Sequence, residues 1–71
     1  MNDRIIKFDY TNWKGVRRTR TVWPKSIWFG STEHHPSLQW FMNALDMEIN
    51  ETRDFALRDV HGFVKENDNG S

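Results

Sequence analysis

Ten aromatic side chains, four of them tryptophans, stand in a chain of 71 residues that contains no cysteine. That combination leaves few ways to fold. A chain this short covers only about 60–65% of the surface its unfolded form exposes, and domains of this size usually add a disulfide, a metal or a partner chain to make up the deficit. Without cysteine the disulfide is excluded, and no redox compartment can be read from the composition. Large core residues are the remaining device, since each aromatic side chain buries roughly 150–250 Å². The length allows one domain built on one core.

Alternation of apolar and polar residues points to strands. In Ile5 to Tyr10, Ile6, Phe8 and Tyr10 share one face while Lys7 and Asp9 share the other. Thr11-Asn12-Trp13-Lys14-Gly15 supplies turn chemistry, with Asn12 and Gly15 suited to positive φ. Val16 to Trp23 is a second strand, rich in β-branched residues and arginine, and Pro24 marks its end or a bulge, having no N–H for a ladder. Ser26 to Phe29 reads as a short third strand, and Gly30 to Pro36 as a loop. Leu38 to Leu45 is the most apolar stretch. Leu38, Trp40, Met42 and Ala44 alternate on one face and Phe41 and Leu45 on the other, as in a strand buried on both sides. After a polar turn from Glu48 to Thr52, Arg53 to Leu57 is a fifth strand and Arg58 to Val64 a closing helical turn. The expected core is Phe8, Val22, Trp40, Met42, Phe55 and Leu57. Five short strands at this spacing indicate a mainly β fold, a small SH3-like or Sm-like barrel over residues 1–64. Lys65 to Ser71 has no apolar residue and reads as a disordered polar tail.

Charge is balanced in number and lopsided in place. Seven basic and two acidic side chains lie between Met1 and Lys25, against three basic and eight acidic from Ser26 onward. Such asymmetry makes one surface attractive to anions in a molecule that is neutral overall; a solvated outer face of a hairpin has the same look. No apolar run approaches the ~20 residues that span a bilayer, and Met1-Asn2-Asp3-Arg4 lacks the basic start and apolar stretch of a signal peptide. The expectation is a cytoplasmic protein without a membrane partner.

Catalytic patterns are absent. Ser26, Ser31, Ser37 and Ser71 sit in no glycine-framed elbow, the three histidines are tied to no nucleophile, and the four glycines form no phosphate loop. The expectation is a non-enzymatic protein without a cofactor. Glu33-His34-His35 is the one metal-like cluster, but neighbouring residues of an extended loop point in opposite directions, so solvated loop histidines and no metal are expected. More promising are the basic residues interleaved with aromatics: Trp13, Lys14, Arg17, Arg18, Arg20, Trp23 and Lys25. Small barrels hold single strands on such surfaces, with bases stacked on rings and cations along phosphates. The competing reading packs Trp13 and Trp23 in the core and leaves the arginines to keep an edge strand soluble.

Four segments carry a resemblance: Phe8-Asp9-Tyr10, Arg20-x-Val22-x-Pro24, Trp40-Phe41-Met42-x-Ala44-x-Asp46 and Arg53-x-Phe55-x-Leu57-x-x-Val60. In this order they resemble the WYL-domain family of bacteria and their phages, over Ile5 to Val60. The resemblance implies a five-stranded SH3-like or Sm-like barrel acting as the effector-sensing part of transcriptional regulators, with nucleotides or nucleic acids as proposed ligands. Tyr10, Arg20, Trp40 and Arg53 fall on the motif positions. Phe41 departs from the family's tyrosine and loses a phenolic hydrogen bond; Met42 departs from leucine, a tolerated swap. The sequence shows no helix-turn-helix, so the chain is most similar to stand-alone versions of the domain.

Residues and resemblance together indicate a regulatory binding module for a nucleotide or single-stranded nucleic acid. The expected ligand residues are Arg20, Arg18 and Lys25 for phosphate, Trp13 and Trp23 for stacking, and Tyr10 and Arg53 at motif positions. The alternative is a protein–protein interaction module working in a larger assembly. Either would be a monomer or a weak homo-oligomer. Exposure of Trp13 and Trp23 beside the arginines separates the two readings.

Overall fold

A side chain closes the first turn. Asn12 Oδ1 accepts hydrogen bonds from the amides of Lys14 and Val16, both 2.9 Å, and Gly15 takes φ +86° to bring the chain round. The short side-chain carbonyl reaches the amides ahead of it and mimics a backbone turn, which is why asparagine starts tight turns. The turn joins β1 (Ile6–Thr11) to β2 (Arg17–Gly30) in antiparallel register, with Phe8 opposite Arg20. The computed structural model describes residues 4–64. Three further strands follow, β3 (Gln39–Asp46), β4 (Glu51–Ala56) and β5 (Val60–Phe63), the last entered through a 3₁₀ turn at Leu57–Asp59.

The strands form one antiparallel sheet in the order β4-β3-β2-β1-β5. Four strands meander in sequence, and the short turn then carries the fifth back to the free edge of β1, the connectivity of a small SH3-like barrel. The sheet curls until strands three apart in order meet. Phe8 and Tyr10 of β1 pack edge-on against Phe55 of β4, with ring centroids 5.3 and 5.0 Å apart, and Tyr10 Oη accepts a 2.9 Å hydrogen bond from the Ala56 amide. Phe8, Tyr10, Val22, Met42, Ala44 and Phe55 form the core, with Ile6, Leu57 and Val60 packed against it.

β3 is buried on both faces. Met42 and Ala44 enter the core, while Phe41 is buried on the other side beneath Trp28 (centroids 4.7 Å, interplanar 22°) and against His35 at 5.9 Å. Trp28 is pinned in turn: its Nε1 donates to Asp54 Oδ1 at 2.9 Å, an oxygen that Asn43 Nδ2 also reaches. The indole lies so close over Gly30 that a Cβ there would stand 2.6 Å from its ring. Asp46 closes the other end. Fully buried, it accepts from Arg20 Nη1 (3.3 Å) and the Glu48 amide (3.0 Å), and its carbonyl accepts from Asn50, which sits at φ 57°.

The structure corrects four sequence expectations. Ser26 to Phe29 is not a separate strand: β2 runs 14 residues through Pro24, and the register shift between Pro24 and Ser26 absorbs the proline as a bulge. Arg58 to Val64 is not a helical turn as a whole, because the 3₁₀ turn ends at Asp59 and β5 follows. Trp40 is not in the core. It lies where β2 and β3 extend past β1, is 54% exposed and packs on Phe29, rings 5.2 Å apart. Leu57 is half-buried at the core's margin, and Tyr10, Phe41, Ala44 and Ala56 take the fully buried places. The tail from Lys65 to Ser71 lies outside the described residues.

Candidate functional site

The core divides the barrel into two ends, and a cavity of about 330 Å³ occupies one of them. Tyr10 and Arg20 line it from the β1–β2 hairpin, Trp13 from the turn, and Arg53 and Phe55 from β4. The loop before β3 adds Thr32, His34 and His35. Segments far apart in sequence meet here because the sheet curls β4 over β1.

One wall is aromatic. Trp13 is 50% exposed and stacks on His34, with centroids 4.1 Å apart and planes 6° from parallel. Lys14 Nζ lies 5.3 Å from the Trp13 ring centre, within cation–π range. The loop that carries His34 is held by a reciprocal pair of backbone hydrogen bonds between Thr32 and His35 and by Thr32 Oγ1, which accepts from the His35 amide. His35 Nε2 is 3.4 Å from Asp59 Oδ2, so it anchors the loop to the 3₁₀ turn.

Another wall is cationic. Arg20 is buried, as its position opposite Phe8 requires, and its Nη1 meets Asp46 at 3.3 Å. Of the two outcomes open to an arginine on the face of Val22, a barrel mouth or a carboxylate partner, Arg20 takes the second, pairing with Asp46 while its buried side chain lines the cavity. Its Nε is buried without a hydrogen-bond partner, a rare condition for so strong a donor. Arg53 has no ion-pair partner among the described residues and is exposed. Two carboxylates, Glu51 and Asp54, share the lining, and Asp54 is already engaged by Trp28 and Asn43. The lining therefore has mixed charge, suited to a ligand with one anionic group and not to a dense run of them. Burial pushes the Tyr10 hydroxyl above its ordinary range, so at neutral pH the phenol is uncharged and available to a ligand as a donor.

Four of the seven expected ligand residues, Tyr10, Trp13, Arg20 and Arg53, thus line one cavity. The other three do not. Arg18 faces solvent and pairs with Glu48 at 3.0 Å; Trp23 is exposed outside both cavities; Lys25 lines a second cavity at the opposite end. Trp23 departs because alternate residues of β2 point to opposite faces and Lys25 because the bulge at Pro24 shifts that alternation, whereas Arg18 shares the face of Arg20, opposite Tyr10, and is drawn off to Glu48. His34 is the main residue the sequence pattern leaves out, since only the fold brings it onto Trp13, 21 positions earlier. Among the described residues no group of three or more histidines and acidic residues is placed to hold a metal ion, and no helix is long and apolar enough to cross a membrane. No family model, curated protein or solved structure matches the chain.

Proposed function

We propose that the chain is a non-enzymatic regulatory module that binds a nucleotide, free or as one unit of a single strand, in the cavity between Trp13 and Arg53. What supports this reading is the convergence of an aromatic wall and two arginines, drawn from four separate segments, on one cavity of nucleotide size. Its volume lies at the lower end of the ~300–1,000 Å³ of small-molecule sites. A base stacks on the open side of the Trp13–His34 pair, as rings in single-strand-binding grooves do. Arg53 takes the phosphate, the planar fork suiting its oxygens, and Arg20, held by its pair with Asp46, shapes the floor.

The test is a titration with adenosine monophosphate and with a short single-stranded DNA, followed by amide chemical shifts at two salt concentrations. Shifts should be larger at Trp13, Arg20, His34 and Arg53 than along Lys25 to Gly30. With one phosphate engaged, affinity should fall by roughly 0.7 log units per log unit of salt. Arg53→Ala should weaken binding about tenfold, the loss of one charge-assisted hydrogen bond, and leave the fold intact because the side chain is exposed. Absence of shift changes at millimolar ligand and low salt would remove the nucleotide reading.

A further inference from the structure

The other end of the barrel carries a different surface. Past Ile6 no described strand lies along the outer flank of β2, and past Phe41 none lies along β3, so the two strands continue as an arm. The bulge after Pro24 turns Ile27 and Phe29 opposite Met42 and Trp40, on the face that continues the core. There the core ends and the side chains do not: Ile27, Phe29 and Trp40 are 52%, 53% and 54% exposed, and Leu38 at the arm's tip is 70% exposed. At the arm's base lies an apolar cavity of about 220 Å³, lined by Ile6, Pro24, Ile27 and Met42 together with Lys25 and Arg4. Monomers rarely leave so concentrated an apolar patch in water unless it serves a contact.

We propose that this face joins two copies of the chain, packed arm on arm about a two-fold axis, with the Leu38–Trp40 tip of each over the Ile27–Met42 cavity of the other. Area, charge and shape each favour a second copy. A phenylalanine or tryptophan half outside leaves roughly 100 Å² uncovered. Four such side chains and the cavity rim from each copy bring the pair to roughly 1,000 Å², the threshold of a specific interface and the size of a small reciprocal contact. The charges of the patch are those of Arg4 and Lys25 in the cavity lining. No charged residue occurs from Ser26 to Gly30 or from Ser37 to Met42, so the apolar stretches of identical faces meet without repulsion. A molecule of zero net charge adds none over longer range. A two-fold contact needs one patch complementary to itself, so that each copy gives what the other takes, and here the exposed Leu38 and Trp40 share a patch with the Ile27–Met42 cavity. Antiparallel arms also set Lys25 of each copy against the tip of the other and apart from its own counterpart. The two cavities share no lining residue, and the proposal does not depend on nucleotide binding.

Sedimentation velocity of the full chain, from about 10 μM to about 1 mM, spans the range expected of so small an interface. The weight-average mass should rise from 8.5 kDa toward twice that value. Trp40→Glu and Leu38→Glu, both at exposed positions, should hold the mass at 8.5 kDa throughout; if one variant unfolds, the other decides. In a mixture of labelled and unlabelled chains, intermolecular NOEs should join the Trp40 ring of one copy to the Ile27 and Met42 side chains of the other. A mass that stays at 8.5 kDa at the highest concentration overturns the proposal. So does a dimer that survives both substitutions, or NOEs showing the face covered by a segment of its own chain.

Discussion

Tyr10 shows how one side chain serves both the core and the cavity. Its ring packs on Phe8 and Phe55, and its oxygen is the acceptor for the buried Ala56 amide. Removing the oxygen leaves that N–H without a partner, so Tyr10→Phe should cost about 1–3 kcal/mol at neutral pH, measured by urea unfolding. The pH dependence has a definite sign. Burial raises the folded-state pKa above the ordinary value of 10.0, so between the two values the unfolded chain has lost the phenolic proton and the folded chain keeps it. The contribution is fully present below pH 10 and declines as pH rises toward the folded-state value. The stability gap between wild type and Tyr10→Phe should therefore narrow above about pH 10. A gap that stays constant to pH 11 would mean the hydroxyl titrates freely. Tyr10 is the only tyrosine, so its ionisation can be followed by absorbance without interference from another. The arginines illustrate what a sequence reveals of a site. An arginine facing the same way as Val22 must find a carboxylate or an opening, and Arg20 meets Asp46. Asp9 is instead held by Thr19 and Arg17 on the outer face, contacts that lower its pKa. The stacking of His34 on Trp13 left no trace in the sequence, because it depends on where a loop of 31–38 comes to rest.

Strands that pack on both faces show best in a sequence, and strands whose packing changes midway show worst. The double-sided apolar pattern from Leu38 to Leu45 correctly marks β3, and the alternation from Ile6 to Tyr10 marks β1. β2 defeats simple alternation. The bulge after Pro24 reverses which residues face the core, and past Ile6 there is no β1 to cover them. Trp40 belongs by size and periodicity to the core, yet it lies on the uncovered stretch. β5 was hidden for another reason: four residues, Val60-His61-Gly62-Phe63, with a glycine among them, carry almost no strand pattern, and pairing with β1 alone makes them one. The outer layer over β3 gives a sharp test. Trp28 covers Gly30 and Phe41 and is tied to Asp54, so it has little room to yield to a methyl group. Gly30→Ala should cost about 1–3 kcal/mol, as overpacking does, and should move the Trp28 indole N–H resonance as its bond to Asp54 lengthens. An unchanged indole resonance with unchanged stability would mean that the ring slides aside freely.

At the scale of the whole molecule, a short chain is made stable by curling its sheet around a few aromatic rings. The extents of 41 × 27 × 21 Å describe an elongated molecule whose main aromatic cluster lies inside the barrel. Large side chains therefore fall into two populations with different consequences. Phe8 is fully buried and touches Tyr10, Phe55 and Phe63, joining β1 to the two outermost strands of the sheet. Truncating such a residue costs about 3–5 kcal/mol through lost transfer energy and the cavity left behind. Domains have a total of roughly 0.05–0.15 kcal/mol per residue, so Phe8→Ala should remove most of the stability of this one. Trp40→Ala deletes a larger side chain from the arm, where it covers little but Phe29, and should change the unfolding free energy by less than about 1 kcal/mol. Denaturant titration of both variants at low micromolar concentration, where copies do not associate, decides the matter. The two results must differ as stated: a Trp40→Ala chain as unstable as Phe8→Ala would place the indole inside the cooperative core and make the arm a part of the barrel.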